Sequence, residues 1–446
     1  MPPRKKIGSA CVLWACLLLG FSTNSKAQAA ASDSTITEAT LEKVMQYAIT
    51  HQPLIQQSLI DEGITDQLIK SKLADWYPQV NFNYSLQHNF QVATAVIGGN
   101  VVKLGVDNVS AGQFSVKQAI FNPDVLLANR TKDDVRLQAK QSTTSNKIDV
   151  ASEVAKAFYN VLATMQQIKV AEGDIVRIER SLQDAFNQYK AGLADKIDYK
   201  RTTIALNNTK ATKKSNEALL NARLTYLKSV MGYPENADLN IVYDSLQMER
   251  EMILDTLQLP AYNTRIEYQL LETQRKLLQS NVDYKKWSYL PTVALNGGYN
   301  LNYQNNTFKK IYTDNYPNSF AALTLSVPIF QGFKRVSNVR QAELELKRTD
   351  WDIINLKNAV SAEYAQALAS YKSNFANYTS LKENVALAQE VYDVIQLQYK
   401  SGIKTYLEVI TSETDLQNAR INYINALYQL LSSKIDVQKS LGQLNY

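Results

Sequence analysis

Residues 399–403, Tyr-Lys-Ser-Gly-Ile, decide how this chain is organised, because a close variant, Tyr-Lys-Ala-Gly-Leu, occupies residues 189–193. The two motifs are 210 positions apart. Three further pairs keep nearly that spacing: Met-Gly at 231–232 with Leu-Gly at 441–442, Ile-Phe at 120–121 with 329–330, and Pro78 with Pro291. Four markers in one order at nearly one offset predict an internal duplication.

Each copy has the pattern of a helix, two strands, a very long helix, a turn and a second helix. The first repeat is predicted at 30–232, with strands about 79–90 and 110–121 and helices about 123–190 and 195–231. The second is predicted at 261–446, with strands about 292–303 and 320–330 and helices about 335–400 and 404–441. Residues 233–260 are the expected linker between the repeats.

The predicted strands are short and alternate between apolar and polar residues. In the first strand Val80, Phe82 and Tyr84 alternate with Asn81 and Asn83, which is the two-residue period of a strand. A run of about ten residues is what a tilted strand needs to cross a membrane. Transmembrane strands are therefore one interpretation, and a half-exposed sheet on a soluble domain is the other.

Two features favour the transmembrane interpretation. The links at 91–110 and 304–319 have the composition of surface loops, and Tyr303, Tyr312 and Tyr316 lie near strand ends, as in an interfacial aromatic girdle. Four strands cannot close on themselves in lipid, so several chains would have to share a barrel. Two chains would give eight strands with a filled lumen, whereas three would give twelve with room for a channel; geometry favours three without excluding two.

The helices are unusually long. Asn122, Pro123 and Asp124 form a strong helix start, and between them and Lys190 there is no further proline and Gly173 is the only glycine. At 1.5 Å per residue, such a helix reaches about 100 Å. Beyond Gly402, apolar residues follow a heptad line that predicts coiled-coil packing, and a second apolar line predicts contacts on two sides, as in a closed ring of helices.

The N-terminus has the pattern of a targeting segment. Residues 1–29 combine a basic start, an apolar run of about 15 residues and the small-residue site Ala-Gln-Ala at 27–29, which predicts a cleaved signal peptide. An uncleaved anchor and lipidation at Cys16 are alternatives. No later stretch reaches 18 consecutive apolar residues, so membrane-spanning helices are not expected.

Composition excludes several classes of function. Cys11 and Cys16 are the only cysteines, and His51 and His88 are the only histidines, so neither a disulfide framework nor a thiolate or histidine-rich metal site is expected. Outside residues 1–27 there are 44 basic and 42 acidic residues, a balance of +2, so nucleic acid is not an expected partner. Phosphate-loop and dinucleotide motifs are absent, and no catalytic residue, cofactor or metal is predicted.

Together these features resemble the TolC-like outer membrane efflux protein family, also called outer membrane factors. The most specific similarity lies in residues 399–409 and 414–420, with Leu-Gly at 441–442 and Val-Pro-Ile-Phe-Gln-Gly at 327–332. The implied fold class is mainly α with transmembrane β. In it, the duplicated unit assembles as a homotrimer with a 12-stranded outer-membrane β-barrel and a periplasmic α-helical barrel.

The resemblance also implies function and partners. The expected function is the exit duct of a tripartite efflux pump or type I secretion system, in the outer membrane of a Gram-negative bacterium and extending into the periplasm. Outer-membrane lipid, a periplasmic adaptor (membrane fusion) protein and an inner-membrane transporter are the implied partners, and docking of the two proteins would open the duct. The rival interpretation is a periplasmic coiled-coil adaptor or scaffold without a barrel.

Site residues follow from the same resemblance. Glu408 matches an acid of the ring that constricts the periplasmic tip and selects cations, whereas Thr411 replaces the family's second acid. Lys404 replaces an arginine that locks the closed tip, with Asp198 and Tyr399 as its expected partners. Lysine lacks the forked guanidinium, so a looser lock is expected. The tip turns are predicted at Gly192 and Gly402.

Overall fold

The computed structural model describes residues 36–192, 195–243, 248–249 and 252–444, and the predicted signal peptide lies outside them. The fold is mainly helical with a smaller sheet, as predicted. Its helices are α1 (Leu41–His51), α2 (Pro53–Ala74), α3 (Pro123–Lys190), α4 (Lys196–Met231), α5 (Ile266–Trp287), α6 (Lys334–Lys400) and α7 (Tyr406–Leu441). Its strands are β1 (Gln79–His88), β2 (Thr94–Ile97), β3 (Asn100–Lys103), β4 (Asn108–Phe121), β5 (Thr292–Asn305) and β6 (Asn318–Ser326).

The helices form a layer of four columns. Helices α3 and α6 each run as one piece from the sheet to the far end, and the shorter helices stack in pairs beside them. The layer order is α2 stacked on α4, then α3, then α5 stacked on α7, then α6. Column α2/α4 and helix α6 are therefore its two free edges.

Two glycines make the end-to-end stacking possible. Gly232 and Gly442 end α4 and α7 in the left-handed region, with φ of 68° and 69°. A Cβ on Gly232 would lie 2.9 Å from the Cα of Gln52, and one on Gly442 would lie 3.0 Å from the carbonyl oxygen of Thr264. Because each position has a glycine, Gly232 lets the end of α4 meet the start of α2, and Gly442 lets the end of α7 meet the start of α5.

The main core lies where the columns meet α1 and the linker. Its largest fully buried side chains include Ile55, Phe158, Leu162, Leu227, Met231, Leu430 and Leu431. These residues come from both repeats, so each repeat covers part of the other's apolar surface. Burying a side chain of this size contributes about 1.5–3 kcal/mol.

Three tyrosines spaced seven residues apart on α6 hold the linker. The Tyr371 hydroxyl donates to the Met252 carbonyl at 2.7 Å and accepts from the Leu254 N–H at 3.1 Å. Tyr364 donates to the Gln258 carbonyl, and Tyr378 donates to a Glu249 carboxylate oxygen at 3.3 Å. Side chains of α6 thereby pair backbone groups in the described part of the linker.

The large sheet is antiparallel in the order β1-β4-β5-β6. Phe82 lies opposite Phe114, which lies opposite Tyr299, whereas the neighbouring row is Asn83, Gln113 and Asn300. These rows place aromatic side chains on one face and amides on the other, as the alternation predicts. The outer strands β1 and β6 are exposed along their whole length, and each pairs on one side only within the described chain.

One expectation about the loops was wrong. The link at 91–110 contains the hairpin β2–β3, which turns at Gly98 and Gly99 with φ of 60° and 88°. Two successive positive φ values are typical of a tight hairpin turn. Within the described residues, no helix is both long enough and apolar enough to cross a membrane.

Candidate functional site

The candidate site lies at the tip, where α3 turns into α4 and α6 turns into α7. Gly192 and Gly402 have φ of 74° and 76°, and their N–H groups donate to the carbonyls of Tyr189 at 3.0 Å and Tyr399 at 2.9 Å. Apart from the glycines' own chain neighbours, no heavy atom of the described residues lies within 4 Å of the place where a Cβ would project from either glycine. Backbone conformation rather than crowding therefore requires glycine in both predicted tip turns.

Tyr406, at the start of α7, joins three helices just above the turns. Its ring is 3% exposed, and its hydroxyl contacts the Ser181 hydroxyl of α3 at 2.9 Å. Thr202 of α4 donates to the same hydroxyl at 2.6 Å. Burial raises the pKa of Tyr406, so it is a neutral hydrogen-bonding group at physiological pH.

Tyr399, a predicted lock residue, belongs to the same cluster. Its ring centroid lies 5.3 Å from that of Tyr406, and its hydroxyl donates to the Gln188 side chain at 2.7 Å. This bond joins the end of α6 to the end of α3. Burial raises the pKa of Tyr399, and electrostatic interactions with Tyr406 and with Asp198 raise it further.

Glu408 is held by groups of its own helix start. Its carboxylate accepts from Lys404 Nζ at 2.6 Å, from the Thr405 N–H at 2.9 Å and from the Thr405 hydroxyl at 3.0 Å. The hydrogen bond from Lys404, followed by that from the Thr405 backbone, lowers the pKa of Glu408 to about 2. Glu408 is therefore ionised but paired, and it caps α7 as the third residue of the helix.

The predicted lock residues are only partly brought together. Lys404 forms its ion pair with Glu408, and Asp198 has no ion-pair partner within the described part of the chain. Burial, followed by the charge of Asp195, raises the pKa of Asp198. Thr411, at the position of the family's second acid, donates its hydroxyl to the Leu407 carbonyl at 2.9 Å.

A network of buried charges just above the tip was missed from the sequence. Arg177 of α3 donates through Nε to Glu413 of α7 at 3.2 Å and through Nη2 to Asp174. Its guanidinium also lies 5.5 Å from the ring centroid of Tyr392 on α6. Burial raises the pKa of Glu413, while Arg177 opposes that rise. Arg177 thus contacts side chains on α3 itself, on α7 and on α6, which are three of the four helices that meet at the tip.

Arg420 extends this network. It donates through Nη2 to the Gln389 side chain at 2.6 Å and reaches Asp174 Oδ1 at 3.5 Å. The other carboxylate oxygen of Asp174 is buried and has no hydrogen-bond partner among the described residues. A buried charge with incomplete pairing is costly, so the network depends on both arginines.

A weak sequence signal for this network exists. Glu413 and Arg420 are seven residues apart on α7, and Asp174 and Arg177 are three apart on α3, so each pair lies on one helical face. Heptad spacing identifies such faces but does not say which two helices meet. The pairing therefore required the structure.

The side chains at the tip mainly connect helices to one another. Tyrosine hydroxyls and ion pairs connect the ends of long helices, and no cluster of metal-ligating residues occurs in the described ranges. Hydrogen bonds of this kind contribute about 0.5–1.5 kcal/mol each. Such a connection is strong enough to hold helices together and weak enough to be broken by a binding partner.

Comparison with known proteins agrees with this architecture. The family model described as "Outer membrane efflux protein" matches residues 44–233 and 269–443, one match in each repeat. The chain is 21% identical to the outer membrane protein TolC of Escherichia coli, across 96% of this chain and 85% of that protein. It is 20% identical to the proteases secretion protein PrtF of Dickeya chrysanthemi, across 70% of this chain and 68% of that protein.

Solved structures show the same fold. The crystal structure of CusC, described in terms of conformational changes that accompany folding and transmembrane channel formation, superposes with a TM-score of 0.73 at 15% identity. The superposition covers 94% of this chain and 95% of that chain. At this identity the likeness supports the fold alone.

Proposed function

This chain belongs to the outer membrane efflux protein family, and from that premise we propose that it is the exit duct of a tripartite efflux pump or type I secretion system. The family and the structural neighbours are outer-membrane channels rather than enzymes, and the protein is placed in the outer membrane. The expected resemblance is thus confirmed at the level of family, location and general function. The assembly and the partners are the finer parts of this proposal.

The observation that carries the proposal is that both the sheet and the helical layer have two edges that no other element of the described chain covers. In the sheet, β1 and β6 are unpaired on their outer sides within the described chain. Unpaired strand edges cost several kcal/mol per backbone group in lipid, so a membrane sheet of this kind needs further copies. Joining β6 of one copy to β1 of the next would continue the sheet.

The helical edges have matching apolar surfaces. On α2, Ile60, Ile64 and Leu68 are exposed one turn apart, and on α6 Val336 and Leu344 are exposed. Two different surfaces that meet form a head-to-tail interface, which generates a ring when the rotation closes. The sheet and the helices would therefore close around the same axis.

Three copies are the closure that best suits the faces of the sheet. They would give twelve strands, and the face lined by Asn83, Gln113 and Asn300 would line a water-filled lumen. Eight strands would instead require side chains that fill the interior. Each chain would contribute four helical columns to a periplasmic barrel.

At the tip of this barrel, three copies of Glu408 would form one acidic ring that favours cations, with Lys404 beside each acid. The predicted lock of Lys404, Asp198 and Tyr399 stays a proposal, and so do the turns at Gly192 and Gly402 as tip elements. A periplasmic adaptor and an inner-membrane transporter are the proposed docking partners. They would open the tip by displacing helices that the tyrosine cluster holds together.

Two neighbouring residues of β1 test the proposal. Phe82→Lys places a charge on the apolar face, and Asn83→Lys places the same charge on the polar face; both sites are exposed in one chain. A lysine facing lipid near the bilayer centre costs about 2–4 kcal/mol, whereas lumen substitutions are tolerated. We expect Phe82→Lys to reduce the amount of trimer recovered from outer membranes and Asn83→Lys to assemble normally.

The assembled Asn83→Lys protein should conduct ions in planar bilayers with lower cation selectivity than the wild type. The proposal fails if the purified wild-type protein is a monomer that needs no detergent and conducts no ions. Equal tolerance of both lysines would show that the apolar face does not meet lipid.

A further inference from the structure

The loop between β5 and β6, residues 306–317, folds back onto one face of the large sheet. The Tyr312 hydroxyl lies 2.7 Å from the Tyr84 hydroxyl of β1, and the Tyr312 ring centroid lies 5.2 Å from that of Tyr303 on β5. Ser110 of β4 donates to the Tyr312 hydroxyl at 3.4 Å. The loop therefore leaves β5, passes over β4 and reaches β1.

Burial and backbone pairing show that the loop is packed against the sheet. Ile311 of the loop is 2% exposed, and Asn108 and Ser110, on the strand that the loop crosses, are buried as well. The Tyr316 N–H donates to the Asn302 carbonyl at 2.7 Å, which holds the second half of the loop to β5. The loop is thus fixed to the sheet by side chains and by backbone.

The covered face is the one that the proposed duct turns towards lipid. Tyr84 is two residues from Phe82, so the two side chains share the aromatic face. Ser110 is four residues from Phe114 and pairs with Tyr303, so these residues lie on the same face. The opposite face, with its amides, would line the lumen. In the proposed barrel the loop therefore lies on the outside, against the membrane.

The loop also lies at the end of the sheet that is far from the helices. Strand β1 runs from Gln79, close to the end of α2, to His88, and Tyr84 is four residues before that end. Four residues of a strand tilted by about 40° rise about 10 Å across a membrane. The headgroup layer is about 5–8 Å deep on each side of a bilayer. The Tyr84–Tyr312 contact is therefore expected near the boundary between hydrocarbon and headgroups, where tyrosine is favoured.

Two lysines of this loop have no acidic partner. Lys309 and Lys310 lie in one 3₁₀ turn, Phe308–Lys310, and both are exposed and form no ion pair within the described residues. Such a helix has three residues per turn, so both side chains point away from the direction of the buried Ile311. Asp314 is the only acid in the loop. Two unpaired cations therefore lie beside the lipid-facing surface at the level of the headgroups.

We propose that loop 306–317 binds the phosphate groups of lipid in the outer leaflet through Lys309 and Lys310. This inference rests on the proposed outer-membrane duct and adds a lipid site on its outer surface. Basic residues at a membrane surface attract anionic headgroups, and lysine binds phosphate as a point charge. Phe308 is exposed beside the lysines and offers an apolar contact for acyl chains. The combination of cations with an apolar side chain favours a lipid over free phosphate.

Binding of lipid A, a phosphorylated glycolipid, tests the proposal. The probe is bis-phosphorylated lipid A, added to the purified wild-type trimer in detergent, and native mass spectrometry counts the bound molecules. Dephosphorylated lipid A has the same acyl chains and is the control ligand. We expect the bis-phosphorylated form to bind at least tenfold more tightly, because two lysines attract its phosphates. The double variant Lys309→Gln with Lys310→Gln should bind both forms equally.

A matched variant controls for a general loss of positive charge. Lys103 is exposed on β3, which belongs to the separate two-stranded sheet at the same end of the molecule. Lys103→Gln should bind bis-phosphorylated lipid A as the wild type does. An equal loss from Lys103→Gln would overturn the proposal, since any cation at this end would then suffice.

Inorganic phosphate distinguishes a lipid site from a site for free phosphate. An equal concentration of inorganic phosphate should not displace bis-phosphorylated lipid A from the wild-type trimer, because the free ion lacks the acyl chains. Displacement would show that the two lysines take free phosphate and would overturn the lipid site.

The contacts that hold the loop give an independent readout. Tyr312→Phe keeps the ring and removes the hydroxyl contacts with Tyr84 and Ser110. Tyr316→Phe is the matched control, since the Tyr316 hydroxyl has no hydrogen-bond partner within the described residues. Trypsin cleaves after lysine, so the cleavage rate in this loop measures how firmly it is held. We expect Tyr312→Phe to be cleaved at least threefold faster and to bind lipid A more weakly, whereas Tyr316→Phe should match the wild type. Equal behaviour of the two variants would overturn the role of Tyr312 in positioning the lysines.

The outcomes separate this inference from the proposed function. A wild-type trimer that conducts ions but binds the two forms of lipid A equally would overturn the lipid site and leave the duct standing. A wild-type protein that forms no trimer and conducts no ions would overturn the duct itself. The double variant should still form a conducting trimer, which would show that its loss of lipid binding does not come from misfolding.

Discussion

The two tip turns have almost the same backbone but different surroundings. Gly192 and Gly402 differ in φ by only 2°, yet the helices that follow them start differently. Tyr406, the first residue of α7, is 3% exposed, whereas its counterpart Lys196, the first residue of α4, is exposed. Glu408 caps α7 with its carboxylate, and Asp195 caps α4 through the Ile197 N–H at 2.9 Å.

This difference teaches that duplication kept the path of the chain and let the side chains diverge. The backbone requirement is local, because a glycine with positive φ is sufficient for the turn. The surroundings are not local, since α7 lies between α3 and α6 while α4 is a free edge in one chain. The second turn is therefore held between two helices of the same chain, and the first turn lies at an edge of the helical layer.

The largest expected effect comes from removing the buried side chain at the second turn. Tyr406→Ala deletes a ring and its contacts with Ser181 and Thr202, and large-to-small changes of this kind cost about 3–5 kcal/mol. The matched position in the first repeat is Lys196, where alanine should cost little. Hydrogen exchange of the first turns of α7 and α4 measures both.

Tyr406→Phe separates packing from hydrogen bonding. It keeps the ring and leaves two hydroxyl groups without their partner, so we expect a loss of about 1–2 kcal/mol at the same turn. If Tyr406→Ala and Lys196→Ala change the rate of hydrogen exchange equally, the two turns are equally stabilised by their surroundings.

Substitution of Arg177 tests whether buried charges stabilise the second turn and not the first. Arg177→Met leaves Glu413 without its cation and should weaken the α3–α7 contact by about 2 kcal/mol, less than for a fully buried pair because the arginine is partly exposed. The matched change is Leu387→Met, which should be nearly neutral. Thermal unfolding of the periplasmic helices gives the comparison.

Adding Glu413→Gln to Arg177→Met should recover part of the loss, since a neutral amide costs less to bury than an unpaired carboxylate. A double variant that is as unstable as the sum of its single changes would show that the two side chains do not depend on each other.

Local patterns were enough to predict much of the fold. The structure has a helix from Pro123 after the capping Asn122 and has turns at both tip glycines, because these features depend on neighbours in sequence. The alternating faces of the strands also follow from periodicity alone. The hairpin β2–β3 was missed, since four-residue strands give too short a pattern.

The site was harder to predict because its contacts join distant helices. Lys404 was expected to pair with Asp198, and in one chain it contacts Glu408, four residues later in the first turn of α7. Neither the Tyr406 cluster nor the Arg177 network follows from periodicity, since both depend on which faces meet. The partners of buried polar residues on a coiled-coil face could not be predicted from this sequence, and the structure was needed to identify them.

Substitution by alanine should have the same effect at both tip glycines, because the two turns differ in their side chains and not in their backbone. Gly192→Ala and Gly402→Ala each place a Cβ on a left-handed residue at a cost of about 1–2 kcal/mol, with no clash to add. Local exchange at both turns should therefore rise by similar factors. A much larger effect at Gly402 would mean that its backbone, too, is held by the surrounding cluster.

The smallest expected effect is the pH dependence of the second turn. The folded pKa of Glu408, about 2, lies below its ordinary value of 4.5, so the ionised carboxylate stabilises α7 above pH 4.5 and this contribution is lost as the pH falls towards 2. Exchange at the start of α7 should therefore accelerate, relative to intrinsic rates, between pH 4.5 and 2.5. Glu408→Gln should remove that dependence, because a neutral amide does not titrate.

The first turn is the internal control, since burial raises the pKa of Asp198, and protonation of that carboxyl on acidification stabilises its surroundings. The two turns should thus shift in opposite directions, and a common shift would assign the effect to the trimer as a whole.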